Sequence, residues 1–181
     1  MKSNPITKTI EIPEGVNIEI KGHEVAVKSS GKEIKRDFRA GIIEILKSGN
    51  MIELKSKKSC RIQAKIMGSI AAHIKNMING MKNDYVYKLE VCTVHFPVTI
   101  KVEGNKLVVK NFLGETVDRK AEIIKNSNVS VKGNEIIVSS FDKESAGQTA
   151  ANIEKATKIR ERDRRVFQDG IFLVERCGRK I

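Results

Sequence analysis

Polar and apolar residues alternate along two segments in the first half of the chain, each centred on a glycine. Residues 16–27 carry apolar side chains at every second position on either side of Gly22, and residues 43–54 repeat the pattern around Gly49-Asn50. A period of two places alternate side chains on one face of a strand, and glycine with asparagine favours tight turns. The pattern therefore predicts two β-hairpins.

The second half of the chain repeats this plan. Residues 98–109 alternate around Gly104-Asn105 and residues 129–138 around Gly133-Asn134, offset by 82 and 84 residues from their counterparts. An alternating segment that ends in proline, at 10–13, has a counterpart at 94–97, again offset by 84. A fourth match aligns residues 71–74 with 150–153 at an offset of 79. Four landmarks in one order favour an internal duplication over coincidence.

Each half then changes from a period of two to a helical period. We predict helices over residues 59–78 and 143–159, a further strand over 171–175, and a basic connection over 158–165. The predicted fold class is α+β, with two tandem duplicated domains, each an antiparallel β-sheet covered by one α-helix. The predicted domains are residues 1–82 and 83–181.

The amino-acid composition is that of a globular protein. The 181 residues are 40% hydrophobic and 31% charged, typical of globular chains and sufficient for two small domains. No apolar run reaches the roughly 18 residues of a membrane span, and the first five residues do not resemble a secretory signal, so we expect a cytoplasmic protein. The three cysteines are widely spaced without a CxxC pair, which predicts no disulfide framework and no zinc site.

The net charge of +12 favours a polyanionic partner, with nucleic acid as the leading class. The residues before position 89 contain 17 basic and 9 acidic side chains, and the residues from 89 onward contain 17 and 13, so the excess is +8 and +4. Because the chain contains no tryptophan and few other aromatic residues, a folded RNA held through phosphates is favoured over an unstructured strand. No helix-turn-helix, basic zipper or zinc finger indicates DNA reading.

Motifs for catalysis are missing from the sequence. There is no P-loop, GxSxG, GxGxxG or HExxH pattern, and His23, His73 and His95 are scattered. We therefore predict a non-enzymatic protein with no cofactor and no metal. An enzyme acting on an acidic or nucleotide substrate is the disfavoured alternative. Binding to an anionic membrane surface is weaker still, because no helix combines a basic face with large aromatic anchors.

The second predicted helix carries the main candidate site. At 100° per residue, Ala146, Ala150, Ile153 and Thr157 share one face, which we expect to pack. The opposite face leads into closely spaced bases suited to phosphate contacts, although cations at a helix end also serve solubility and the helix dipole. The candidate RNA contacts are Gln148, Asn152, Lys155, Lys158, Arg160, Arg162, Arg164 and Arg165.

The first half contains a second basic group, with one part around a turn at residues 28–39 and the other leading into the first helix. Such lysines often only solubilise a small domain, and the two interpretations carry equal weight. The candidate secondary contacts with RNA or protein are Lys28, Lys32, Arg36, Lys57, Lys58 and Arg61.

Four motifs carry a family resemblance. They are His95-Phe96-Pro97, Asn111-Phe112-Leu113-Gly114-Glu115, Gly147-Gln148-Thr149-Ala150-Ala151-Asn152-Ile153-Glu154 and Arg165-Val166-Phe167-Gln168-Asp169-Gly170-Ile171-Phe172. Over nearly its whole length the chain resembles the universal large-subunit ribosomal protein six family, called protein nine in eukaryotic numbering. The Arg-x-Phe-x-Asp-Gly ending is similar to the archaeal and eukaryotic branch, and the bacterial Tyr-Lys-Gly-Lys-Gly element is missing. Phe172 stands where that family usually has tyrosine, and Lys155 where glutamine is common.

The resemblance implies a structural role in cytosolic ribosomes and two tandem α+β domains. It also implies that the second domain binds large-subunit rRNA near the sarcin-ricin loop and the stalk base, beside neighbouring ribosomal proteins and elongation factors. The resemblance makes Gln148, Asn152, Lys158, Arg164 and Arg165 the best candidate RNA contacts; Lys158 and Arg164 lie between the last two motifs and the others within them. Asp169-Gly170 is expected to shape a turn. The alternative function is a free-standing RNA-binding or regulatory module.

Overall fold

A computed structural model describes residues 6–29, 31–39, 41–56 and 60–181. The chain divides into two compact units, Met1–Asn83 and Asp84–Ile181. Both contain antiparallel strands and one α-helix, so the α+β class is confirmed. No helix within the described ranges is long and apolar enough to cross a membrane.

The first unit contains two three-stranded antiparallel sheets and one long helix. Its elements are β1 (Thr7–Glu11), β2 (Asn17–Lys21), β3 (Glu24–Ser29), β4 (Lys32–Asp37), β5 (Ile43–Ser48), β6 (Met51–Ser56) and α1 (Arg61–Lys82). The strand orders are β1-β6-β5 and β2-β3-β4. Alternate residues of β3 and β6, such as Val25 and Ile52, are fully buried, as is Ile74 of α1. Both predicted hairpins of this half are confirmed.

The second unit contains a three-stranded and a five-stranded antiparallel sheet. Its elements are β7 (Tyr85–Cys92), β8 (Thr99–Glu103), β9 (Lys106–Lys110), β10 (Arg119–Glu122), β11 (Asn128–Lys132), β12 (Glu135–Ser140), α2 (Lys143–Ala156), β13 (Gly170–Arg176) and β14 (Arg179–Lys180). The strand orders are β10-β9-β8 and β11-β12-β7-β13-β14. Leu89, Leu107, Phe112, Ile136 and Ile153 lie in its core.

The two units repeat one another in topology. The hairpins β5-β6 and β11-β12 each pair with a preceding strand, β1 or β7, and each hairpin is followed by a helix. One backbone hydrogen bond occurs in both units. The Ile12 amide donates to the Asn50 carbonyl at 2.8 Å, and the Val91 amide donates to the Asn134 carbonyl at 2.8 Å. Ile12 therefore corresponds to Val91, at an offset of 79.

The predicted alignment of residues 10–13 with 94–97 is wrong. β7 ends at Cys92, and residues 94–96 form a bend rather than a strand end. The cause is tertiary, because the backbone amides of Val94 and His95 donate to the Asp169 carboxylate instead of a neighbouring strand.

Both predicted helices are present, but their ends differ from the prediction. Residues 71–74 and 150–153 show the same order of burial, with the first and fourth positions buried and the second exposed. α1 continues four residues beyond the predicted Ile78, since Met81 extends its buried face. α2 ends at Ala156 rather than Ile159, and the Thr157 hydroxyl accepts from the Ile171 amide at 3.0 Å. The strand predicted at 171–175 is confirmed as part of β13.

Candidate nucleic-acid interface

The start of α2 is fixed by a side-chain cap. Asp142 has an extended backbone, and its carboxylate accepts from the amides of Glu144 at 3.1 Å and Ser145 at 3.2 Å. Such a cap satisfies amides that have no partner inside the helix. A Cβ on Gly147 would lie 3.2 Å from the Tyr87 hydroxyl oxygen, so the glycine permits close packing of α2 against β7. These contacts set the rotation of the helix.

The predicted packing face of α2 is confirmed. Ala146, Ala150, Ile153 and Thr157 are each no more than 2% exposed. This burial leaves the opposite face of the helix, and the segment that follows it, for other partners.

The amides on the outer face of α2 are already linked to one another and to the sheet. The Gln148 side-chain amide donates to the Asn152 side-chain oxygen at 3.0 Å, and the Asn152 amide donates to the Glu122 carbonyl at 3.0 Å. Asn152 therefore ties α2 to β10. Exposed Gln148 is the better placed of the two to meet an outside partner.

Arg119 of β10 holds the end of α2. Its guanidinium donates to the backbone carbonyls of Ala156 at 3.1 Å and Lys158 at 3.2 Å, and it pairs in bidentate fashion with Glu115. The hydrogen bond from Arg119, more than its charge, holds the pKa of Glu115 below its ordinary value. The last carbonyls of a helix otherwise lack partners. Arg119 therefore fixes the backbone from which the basic segment begins.

Arg119 is not among the residues predicted from the sequence, because its partners lie 37 and 39 residues away along the chain. Its i,i+4 spacing from Glu115 was the only available signal, and that spacing is informative only on a helix.

The basic segment, residues 158–165, contains a local contact between Asp163 and Arg165. This carboxylate accepts from the Arg165 amide at 2.9 Å and from the Arg165 guanidinium at 3.2 Å. The amide hydrogen bond, followed by that of the guanidinium, holds the pKa of Asp163 below its ordinary value. Arg165, predicted as an RNA contact, is therefore engaged with a local acid.

The buried carboxylate of Asp169 lies just after the basic segment and binds backbone amides from another part of the second unit. Asp169 is 2% exposed and accepts from the amides of Val94 at 2.7 Å and His95 at 3.1 Å, and from the His95 ring. Burial raises the pKa of Asp169, but the bonds from His95 and Val94 outweigh it and hold the pKa below its ordinary value. The His95 ring stacks on Phe167, and the Arg162 guanidinium lies 5.0 Å from the same ring centre. Asp169 thus joins the bend after β7 to the start of β13, beyond the turn-shaping role expected of it.

The side chains of four predicted contacts remain exposed and make no ion pair, hydrogen bond or ring contact with the residues that the structure describes. They are Lys155, Lys158, Arg160 and Arg164. All four line a groove of about 980 Å³, and the first three also line an adjoining depression of about 550 Å³ together with Arg119 and Lys120. The negative end of the α2 dipole favours cations there. Convergent cations without acidic partners form a ready site for phosphates.

The basic group of the first unit is arranged differently. Lys28 on β3 pairs with Glu19 at 2.9 Å and with Glu33 at 3.5 Å. The hydrogen bond between Lys28 and Glu19 raises the pKa of the lysine and lowers that of the glutamate. The turn predicted for residues 28–39 is wrong in part, since Lys32 and Arg36 lie on β4.

The other members of that group lie at the start of the helix or beyond the described ranges. Arg61 is the first residue of α1, and Lys57 and Lys58 lie outside the described residues. Among the residues with a described structure, no group of three or more His, Cys, Asp or Glu side chains is placed to hold a metal ion.

Comparison with known proteins identifies the family. A family model described as ribosomal protein L6 matches residues 96–170. Three archaeal proteins, each named large ribosomal subunit protein uL6, are each 42% identical to the chain. The protein of Methanococcus vannielii aligns over 96% of both chains, that of Methanothrix thermoacetophila over 94% of this chain and 97% of its own, and that of Aeropyrum pernix over 94% of both. The chain therefore belongs to the ribosomal protein L6 family.

Proposed function

We propose that the chain is a structural component of the large ribosomal subunit and that its second unit, residues 84–181, binds rRNA. The names of the archaeal relatives support the ribosomal role. The observation that carries the rRNA contact is the convergence of Lys155, Lys158, Arg160 and Arg164 without acidic partners on a segment held at both ends. In this role the protein orders RNA, and its partners include neighbouring large-subunit proteins in the cytosolic ribosome.

The anchor acts through phosphates. Arginine binds phosphate oxygens in bidentate geometry, and each phosphate contact releases condensed counterions. Arg119 and Asp169 hold the two ends of the segment, so the backbone that carries the cations is ordered before the RNA arrives. Pre-ordering lowers the entropic cost of binding. The proposed anchor therefore comprises the four convergent cations, with Gln148 as an adjoining hydrogen-bonding group.

The family resemblance supports a finer location for this contact. We place it near the sarcin-ricin loop and the base of the stalk, beside the site where elongation factors act. The location makes the second unit a support for the factor-binding region of the subunit.

Charge reversal tests the anchor. We expect the double variant Arg160→Glu with Arg164→Glu to lose stoichiometric incorporation into large subunits on sucrose gradients at high salt, and to lose protection of rRNA from chemical probes. The matched control is Lys101→Glu with Lys132→Glu, which changes the net charge equally at exposed positions on β8 and β11 outside the two depressions. Normal incorporation and protection in the first variant would refute the anchor.

The same gradients test the ribosomal role itself. Stoichiometric co-migration of the wild-type protein with large subunits that survives high salt is the expected result. Release into the free fractions at modest salt would instead favour the free-standing RNA-binding module.

A further inference from the structure

The groove of about 980 Å³ in the second unit has an apolar floor as well as a cationic rim. Its lining combines three apolar residues, Val94, Ile159 and Phe172, which we call the floor, with the four cations of the proposed anchor, which we call the rim. Its volume falls within the ~300–1,000 Å³ of ordinary ligand pockets. Phosphate binding would involve the cations of the rim, but it does not account for the apolar residues of the floor.

The floor presents an aromatic ring in a protein that has few. Only 4% of the residues are aromatic, yet Phe172 is 38% exposed within this groove. A Cβ on Gly170 would lie 3.0 Å from the Phe172 ring, so the ring rests against the backbone where glycine leaves room. The Asp169 bond to the Val94 amide fixes the second floor residue, which is 71% exposed. Phe172 and the backbone of Val94 are thus held in place by neighbouring groups.

The groove also contains an unpaired acceptor. Glu154 lines it, and its carboxylate has no ion pair or hydrogen bond in the part of the chain that the structure describes. A carboxylate among four cations repels an isolated phosphate but accepts hydrogen bonds from amino and imino groups. The combination of ring, acceptor and cations matches the base, the base edge and the phosphates of a nucleotide.

We propose that this groove receives one unstacked base of the bound RNA, with the base on the Phe172 ring and its flanking phosphates on Lys158, Arg160 and Arg164. The proposal rests on the proposed function and adds what is recognised. Because the Glu154 carboxylate accepts hydrogen bonds, guanine, whose edge carries adjacent imino and amino donors, is preferred to uracil. The recognised RNA feature is therefore a bulged or extruded guanine at the edge of a folded helix.

Two RNA hairpins that differ only in one bulged guanine test the proposal against the full-length protein. We expect the bulged hairpin to bind about tenfold more tightly than the perfect hairpin, in line with the value of one stacked base. A bulged 2-aminopurine should lose fluorescence on binding as it stacks. Replacement of the bulged guanine by uracil should reduce the preference.

Substitutions of Phe172 distinguish stacking from simple packing. Phe172→Ala and Phe172→Leu should bind both hairpins equally, at the affinity that the wild type has for the perfect hairpin, whereas Phe172→Tyr should keep the preference. Leucine preserves apolar bulk, so it covers the case in which alanine disturbs β13. The matched control is Phe96→Ala, an aromatic residue that is 46% exposed and lies outside the groove, and it should keep the preference.

Each opposing result has a distinct meaning. Equal, salt-sensitive binding of both hairpins by the wild type overturns the base pocket and leaves the rRNA anchor standing. Binding of neither hairpin overturns the proposed function together with it. Displacement of the bulged hairpin by an oligoglutamate peptide, lost in Phe172→Ala, would mean that the groove takes an acidic protein segment, and it would overturn the assignment to RNA.

Discussion

The two units share a topology but distribute their charges in different ways. Residues 1–83 contain 16 basic and 8 acidic side chains, a net of +8, whereas residues 84–181 contain 18 and 14, a net of +4. In the less basic second unit, four unpaired cations converge within residues 155–164. In the first unit, strand lysines such as Lys28 and Lys55 pair with glutamates. Net charge therefore does not locate the candidate site, whereas local pairing does.

The difference follows from what comes after each helix. The second unit adds residues 157–169 and the strands β13 and β14, which lie on the far side of β7 and have no counterpart among the described residues of the first unit. The register also places Arg119, opposite Val109, where the first unit has Ile34, opposite Val27. A duplicated scaffold thus acquires a candidate site through one added segment and one arginine that holds it.

The largest expected effect is at Arg119. Arg119→Ala removes hydrogen bonds to two carbonyls and leaves Glu115 unpaired, so we expect the free energy of unfolding to fall by about 3 kcal/mol. Urea unfolding followed by circular dichroism measures it. Arg179→Ala, at an exposed position of β14, is the control. A loss below about 1 kcal/mol would mean that the end of α2 holds without this residue.

The second-largest effect is expected at Asp169 of the second unit, and it depends on pH. Asp169→Asn removes the acceptor for the His95 ring, and we expect a loss of about 2 kcal/mol at pH 7. Because the folded pKa of Asp169 lies below that of the unfolded chain, about 3.9, its contribution is complete above that value. The contribution then disappears as pH falls through the folded pKa.

Urea midpoints between pH 7 and pH 2 give the test of this pH dependence. The variant should lose less stability than the wild type as the pH falls from about 5 to 2. Parallel profiles of the two proteins would contradict the folded pKa assigned to Asp169. Asp37→Asn, in an exposed pair with Arg39 of the first unit, is the control.

The helix starts differ on a smaller scale. Asp142 caps α2, whereas Cys60 precedes α1 with no side-chain cap. Asp142→Ala should therefore cost about 1 kcal/mol, and Cys60→Asp should stabilise the chain by about 0.5–1 kcal/mol. Urea unfolding of both variants measures the pair. Destabilisation by Cys60→Asp would indicate that the thiol contributes packing that a carboxylate does not replace.

Sequence patterns predicted what depends on neighbouring residues. The Gly-Asn turns fixed the hairpins around Gly49 and Gly133, and the helical period fixed the buried face through Ala150 and Ile153, because turns and periodicity are encoded locally. The bend at residues 94–96 was missed because its amides bind Asp169, 75 and 74 residues away. The charge pattern identified the basic segment. It did not predict that Arg165 pairs with Asp163, because that pairing depends on how the backbone turns at residues 163–165.

The smallest effect is expected in the first unit, where removal of acidic partners tests whether unpaired lysines alone form an RNA-binding site. The double variant Glu19→Gln with Glu33→Gln leaves Lys28 and Lys35 without these acidic partners, and these exposed pairs contribute little to stability, so we expect no change in the urea midpoint. Affinity of the full-length chain for an RNA hairpin should rise less than about threefold at low salt, because one or two added phosphate contacts release few counterions. Filter binding across a salt series measures both the affinity and its slope. A tenfold gain would mean that unpaired lysines on β3 and β4 bind as well as the convergent group at the end of α2, and that convergence contributes nothing to the difference between the two units.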